Sequence, residues 1–302
     1  MTRFVALGDS ITLGVGDPVR VPQLPAAASG LGRAGLPPAA AQPGRRAWRG
    51  WAPLLADGLC EPWLGNLAVN GACLADVERD QLPQALALAP DIASLVVGVN
   101  DTLRPNFDLE RIAAVAARTV AALRAAGAEV LTMRLPDPGR MLGLPGVLAR
   151  PLARRAQEIN LVMDAVARHH ATLHFDAAGD EETYDRRMWA ADRLHPNERG
   201  HRLIACRFHS MLAAAGMPVG PPPDSEPSSP PPSRLAELGW LATKGTAWVA
   251  RRSTDLVPGL LAMAFAEWRS GQVPAADQLL RGHDRAADAG PAGPPLVELD
   301  RA

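Results

Sequence analysis

The chain has 302 residues, 47% of them hydrophobic and 21% charged, with a formal net charge of −1. That is enough apolar chain to bury a sizeable core, and the near-neutral balance gives no electrostatic reason to expect nucleic acid or an anionic membrane as partner. Lys244 is the one lysine among 31 basic residues, a bias that reads as genome composition and not as chemistry. Cys60, Cys73 and Cys206 have no C-x-x-C spacing. They point to reduced thiols in a cytoplasmic protein, against a disulfide framework and against a zinc site. No stretch reaches the roughly 18 apolar residues of a membrane span, and the N-terminus enters a strand-like run with no signal region before it.

Short, mostly apolar runs at 3–7, 64–69, 92–97, 129–133 and 172–175 read as strands ending near Gly, Asn or Asp. Helical patterns lie between and after them. One is expected near 51–59, and another carries Leu109, Ile112, Val115, Ala116, Val120 and Leu123 at helical spacing between an Asp108 N-cap and a Gly127 stop. Ile159, Val162, Met163 and Val166 mark a third, and a last helix is expected from Pro196, suited to the first helical position, to Gly216. Strands alternating with helices predict βαβ units and a parallel sheet covered on both faces, which continuous apolar strands also suit.

Two segments break the pattern. Residues 17–49, rich in Pro, Ala and Gly, read as a long insertion, either a functional flap or a segment without a role. Residues 217–233 hold eight prolines and read as a stiff linker, so that the compact domain is expected over 1–216. Residues 234–270 carry two helical patterns with Trp240, Trp248 and Trp268, too few to form a core alone, so they are expected to dock, first of all on the chain's own body. Residues 271–302 read as a disordered tail.

The first strand ends in Gly8-Asp9-Ser10. A serine there stands at the carboxyl edge of the sheet, where open α/β folds bind ligands. It suits a nucleophile, although a phosphate site or a helix cap fits the same position. Asp192-Arg193-Leu194-His195-Pro196 supplies a histidine with an acid three residues before it, able to reach Nδ1 through one turn and leave Nε2 for Ser10. Alone, Asp-x-x-His is more often a surface turn. Two further segments fall at strand ends, Asn70-Gly71-Ala72 and Gly98-Val99-Asn100-Asp101. Gly71 offers a backbone N–H open to close approach, and Asn100 offers a side-chain amide. With the Ser10 N–H these make three donors for one oxyanion.

In this order the four segments resemble blocks I, II, III and V of the SGNH (GDSL-type) hydrolase superfamily, over about residues 3–215. Its namesake residues are matched by Ser10, Gly71, Asn100 and His195, and Asp192 completes a triad. The resemblance implies a flavodoxin-like three-layer α/β/α sandwich with about five parallel strands, extended here by C-terminal helices. It implies a serine hydrolase without metal or other cofactor, acting on a small-molecule acyl ester through an acyl-enzyme. The insertion and the helical extension depart from a minimal member.

Other residues carry less. His169, His170 and His174 are explained by a helix end and a strand start, Asp101 by buttressing the loop around Asn100, and Asp76 and Asp80 by a solvated helix face. Trp48 and Trp51 read as buried anchors more readily than as pocket walls. Three competing functions remain: a silent binding module on the same fold, an interaction element in the tail, and an acyltransferase using the same serine.

Overall fold

In a computed structural model, residues 1–19, 48–104, 106–143 and 146–228, with Gly239, are described. β1 (Thr2–Gly8) runs into α1 (Ser10–Leu13), followed by α2 (Trp51–Asp57) and β2 (Pro62–Asn66). Next come α3 (Leu74–Asp76), a π-helical turn (Val77–Gln81), α4 (Leu82–Ala87), β3 (Ile92–Val96), α5 (Val99–Thr102) and α6 (Leu109–Ala125). The series ends with β4 (Glu129–Met133), α7 (Pro138–Leu142), α8 (Gly146–His170), β5 (Leu173–Phe175) and α9 (Glu198–Ala214). The five strands are all parallel, in the order β2-β1-β3-β4-β5.

Strand residues alternate between two cores. Val5, Leu7, Ala93, Leu95 and Val130 pack beneath α3, α4, α6 and α8, through Leu74, Ala85, Val120, Leu123 and Ile159. Phe4, Ala6, Val96 and Leu131 face α2 and α9, through Trp51, Leu55, Phe208 and Leu212. This two-sided burial is why the strands read as unbroken apolar runs. Trp51 is fully buried, its ring centroid 6.1 Å from that of Phe4 and 5.2 Å from that of Phe208. Burial of each such side chain contributes about 1.5–3 kcal/mol.

The connections place the site. After β1 the chain crosses to the α2 face, and after β3 it crosses to the α6 face. The adjacent carboxyl ends of β1 and β3 are therefore left with a crevice between them, the switch point of a doubly wound sheet.

The helix expected between an Asp108 cap and Gly127 is α6: the Asp108 carboxylate accepts from the Arg111 N–H, and the Gly127 N–H closes on the Arg124 carbonyl. Two boundaries differ from expectation. The second strand covers Pro62–Asn66 and not 64–69, because the Asn66 side chain accepts from the Ala68 N–H and donates to the Thr12 carbonyl, turning the chain out of the ladder. The last helix begins at Glu198 and not at Pro196. Pro196 pairs with Trp189 in an isolated bridge, and Asn197 caps the helix by accepting from the Arg199 and Gly200 N–H groups.

Residues 217–228 run back along the body. Val219 bridges to Leu59, the Gly220 carbonyl accepts from His209, and the Asp224 carbonyl accepts from Arg202. Ser228 donates to the Glu198 carboxylate through both its backbone and its hydroxyl. The two ends of the 17–49 segment meet: Pro18 bridges to Trp48, and Asp17 accepts from the Arg49 and Gly50 N–H groups. The interior of that segment (20–47), the expected 234–270 helices apart from Gly239, and the 271–302 tail lie outside the described residues. Among the described residues no helix is long and apolar enough to cross a membrane.

Candidate active site

Asp9 sits in extended backbone where β1 ends, and its carboxylate accepts from the Ile11 N–H, which starts α1 at Ser10. The serine is 8% exposed at the crevice. Across from it, residues 192–195 form a tight turn. Asp192 Oδ1 accepts from the N–H groups of Leu194 (3.0 Å) and His195 (3.1 Å), and the Ala190 carbonyl accepts from the Arg193 N–H. Arg193 takes a left-handed φ of +53°, a strain of about 1 kcal/mol or more that these bonds offset.

The turn aims both functional groups. His195 Nδ1 lies 2.8 Å from Asp192 Oδ2, and His195 Nε2 lies 3.0 Å from Ser10 Oγ. Burial pushes the Asp192 carboxyl up, but the hydrogen bonds from His195, its charge and the two backbone N–H groups outweigh this and hold it below the ordinary carboxylate range. An ionised Asp192 accepts only, so Nδ1 carries the proton and Nε2 presents its lone pair to the serine hydroxyl.

Hydrogen bonds tie the segments that carry the other expected donors to the ends of β1 and β3. Gly98 precedes α5 with φ +129°, a conformation for glycine, and swings Asn100 over the end of β3. Asn100 Nδ2 donates to the Ala72 carbonyl at 3.0 Å and to Asp9 Oδ2 at 3.3 Å. Gly71 also requires its positive φ of +81°, and the space where a side chain would stand is open for 4 Å. The Val69 N–H donates to the Gly8 carbonyl, so ties to the first and third strand ends flank Gly71.

Asp101 buttresses this loop, as expected, by accepting the Leu74 N–H through both carboxylate oxygens. Burial raises Asp101 to about 6 and Asp9 to about 7. His201, fully buried one turn into α9, is pushed down to about 4 by desolvation and donates from Nε2 to the Val15 carbonyl, tying α9 to the loop after α1. Asp76 accepts from the Cys73 N–H, and Asp80 is an exposed partner of Arg79. His174 is not grouped with His169 and His170; it bonds Thr132 and Asp164. Among the described residues no group of three His, Cys, Asp or Glu could hold a metal ion.

Residues 6–203 match the model of the GDSL-like lipase/acylhydrolase family, and the chain belongs to that family. No curated protein matches the sequence. Among solved structures, a lipase/acylhydrolase from Enterococcus faecalis is similar over 75% of this chain and 100% of its own, at 18% identity and a TM-score of 0.52. The acetylxylan esterase Axe2 from Geobacillus stearothermophilus is similar over 70% of this chain and 94% of its own, at 19% identity and a TM-score of 0.50. At such identities the likeness is one of fold, and it agrees with the three-layer sandwich and five-stranded parallel sheet described above.

Proposed function

We propose that the protein is a serine esterase that cleaves the carboxylic ester bond of a small acyl ester. The observation that carries this reading is the unbroken line of hydrogen bonds from Ser10 Oγ through His195 to Asp192. Ser10 Oγ attacks the ester carbonyl carbon while His195 Nε2 takes the hydroxyl proton. Asp192 holds the imidazole in the required tautomer and stabilises the imidazolium. The C–O bond to the alcohol then breaks, the alcohol leaves with the proton from His195, and an acyl group remains on Ser10. Water, deprotonated by His195, releases the acid by the same route.

In this reading the Ser10 N–H, the Gly71 N–H and Asn100 Nδ2 receive the oxyanion. Asn100 already lends both its Nδ2 hydrogens, and the one shared with Asp9 across 3.3 Å is the easier to redirect. Burial makes Asp9 a reluctant anion, which weakens its claim on that hydrogen. Asn100→Ala is therefore expected to lower kcat by about 10²–10³ with a smaller change in KM. A kcat equal to the wild type in steady-state kinetics would remove Asn100 from this role.

The test of the reading is hydrolysis of p-nitrophenyl acetate, butyrate, octanoate and palmitate by wild type beside Ser10→Ala, with fluorophosphonate labelling of both. Activity and label are expected in the wild type and lost in the variant. The chain length with the highest kcat/KM measures the acyl site, each buried methylene adding about 0.8 kcal/mol. Equal hydrolysis by the two proteins, or an unlabelled Ser10, would overturn the assignment.

A further inference from the structure

Gln81 lies outside the four segments that carry the family resemblance, yet it is the side chain that holds the end of β1. It is 2% exposed. Its Oε1 accepts from the Gly8 N–H at 2.8 Å and its Nε2 donates to the Gly8 carbonyl at 2.9 Å. β2 ends at Asn66, so the edge of β1 that faces it loses its regular partner two residues before Ser10. Leu67 and Val69 still donate to the Ala6 and Gly8 carbonyls, but the Gly8 N–H takes the Gln81 amide, a side-chain copy of the missing peptide group.

The helix carrying Gln81 is built for this. The inward residues of α3, the π-turn and α4 are Leu74, Val77, Gln81, Leu82 and Ala85. Leu74, Val77, Gln81 and Ala85 recur at helical spacing on one face, so Gln81 lies in the inward stripe and reaches Gly8, while Leu82 beside it enters the apolar core. Gln81 closes a π-turn, Val77–Gln81. Such turns are frequent at functional sites. The same helix starts just beyond Gly71 and is pinned to β3's loop by Asp101, so Gln81 joins the loops that would supply all three oxyanion donors.

We propose that Gln81 is a positioning residue for the nucleophile: by replacing the absent strand partner at Gly8, it sets the orientation of the Ser10 hydroxyl and N–H relative to Gly71 and Asn100. The proposal rests on the serine-esterase reading above. Gln81 touches no reacting atom, so its loss acts through misplacement, and a shift of about 1 Å at a catalytic group can cost about 10²-fold.

The experiment compares wild type, Gln81→Leu and Gln81→Glu on p-nitrophenyl acetate, with active sites titrated to completion by a fluorophosphonate. Gln81→Leu is expected to lower kcat per titrated site about ten- to hundredfold, with KM within about twofold. Gln81→Glu supplies a second readout. Its neutral carboxyl donates to the Gly8 carbonyl and accepts from the Gly8 N–H as the amide does, whereas its carboxylate only accepts and repels that carbonyl. Its kcat relative to wild type is expected to be highest in acid and to fall about tenfold or more between pH 6 and pH 9. This ratio decides the matter even where Gln81→Leu fails to fold.

A residue that merely stabilises the fold would lower the melting temperature, leave kcat per site unchanged and give a flat ratio. That outcome overturns the positioning role while leaving the esterase intact. A wild type that is inert and unlabelled overturns the esterase reading, and the role of Gln81 falls with it.

Discussion

Replacing Asp192 by Asn is expected to lower kcat by about 10⁴-fold while the protein stays folded. Asp192 does two jobs through two oxygens: Oδ1 holds the turn by accepting from Leu194 and His195 N–H, and Oδ2 accepts from His195 Nδ1. In the variant, the amide oxygen keeps the turn and the NH2 group faces Nδ1. That NH2 is a donor, so Nδ1 must offer its lone pair and the ring proton moves to Nε2. The serine hydroxyl then meets an N–H where it needs an acceptor, and the proton of Ser10 has nowhere to go. Steady-state kcat together with the rate of fluorophosphonate labelling checks this, since both need the same deprotonation. A loss below about tenfold in both would mean that His195 does not depend on Asp192 for its tautomer.

The second large effect is on stability. Asp9 is 1% exposed, and burial raises its carboxyl from 3.8 to about 7. Between those values the folded chain binds a proton that the unfolded chain has released, so stability falls as pH rises. The contribution is fully present below about pH 4 and is lost as pH passes through about 7. A shift of that size corresponds to roughly 4 kcal/mol. Asp101, raised to about 6, slopes the same way over a narrower range.

Glu198 opposes them at the acid end. Hydrogen bonds from Ser228 and Arg202 outweigh its burial and hold it at about 2, so its contribution is lost as pH falls below the ordinary carboxylate range. His201, pushed down to about 4, also opposes them, because between about pH 4 and the ordinary histidine value the unfolded chain binds a proton there that the folded chain does not. Urea unfolding from pH 4 to pH 9 should therefore show the Asp9 contribution as a difference between proteins: Asp9→Asn should gain on the wild type as pH rises, with the gain complete above about pH 7. Its amide would still accept from Ile11 but would present a donor to Asn100, so the gain in stability comes with a loss of kcat. Parallel curves for the two proteins would show that Asp9 is not the group whose ionisation costs stability.

Much of this molecule is written locally in its sequence. A strand buried on both faces must be apolar throughout, so 92–97 and 129–133 are legible as β3 and β4 to within a residue. A cap is a one-turn interaction, so Asp108 and Gly127 announce α6. Asp192 and His195 meet because an Asp-x-x-His turn is itself local. Ser10 and Asn100 fall close together because β1 and β3 are parallel neighbours whose carboxyl ends share one edge of the sheet. The family follows from these few ordered motifs.

Other features depend on partners far away in the chain, and no local pattern encodes them. Asn66 ends β2 by bonding Thr12, and Pro196 is drawn into a bridge with Trp189, leaving Asn197 to cap α9. Residues 217–228 look like free linker by composition, yet their carbonyls meet donors that only the folded α9 presents. Gln81 is the sharpest case. Helical spacing puts it on the inward stripe with Leu74, Val77 and Ala85, but beside Arg79 and Asp80 a polar residue there gives no sign of what it bonds. A β1 edge stripped of its strand partner decides that, because a buried N–H must find an acceptor wherever the fold can bring one.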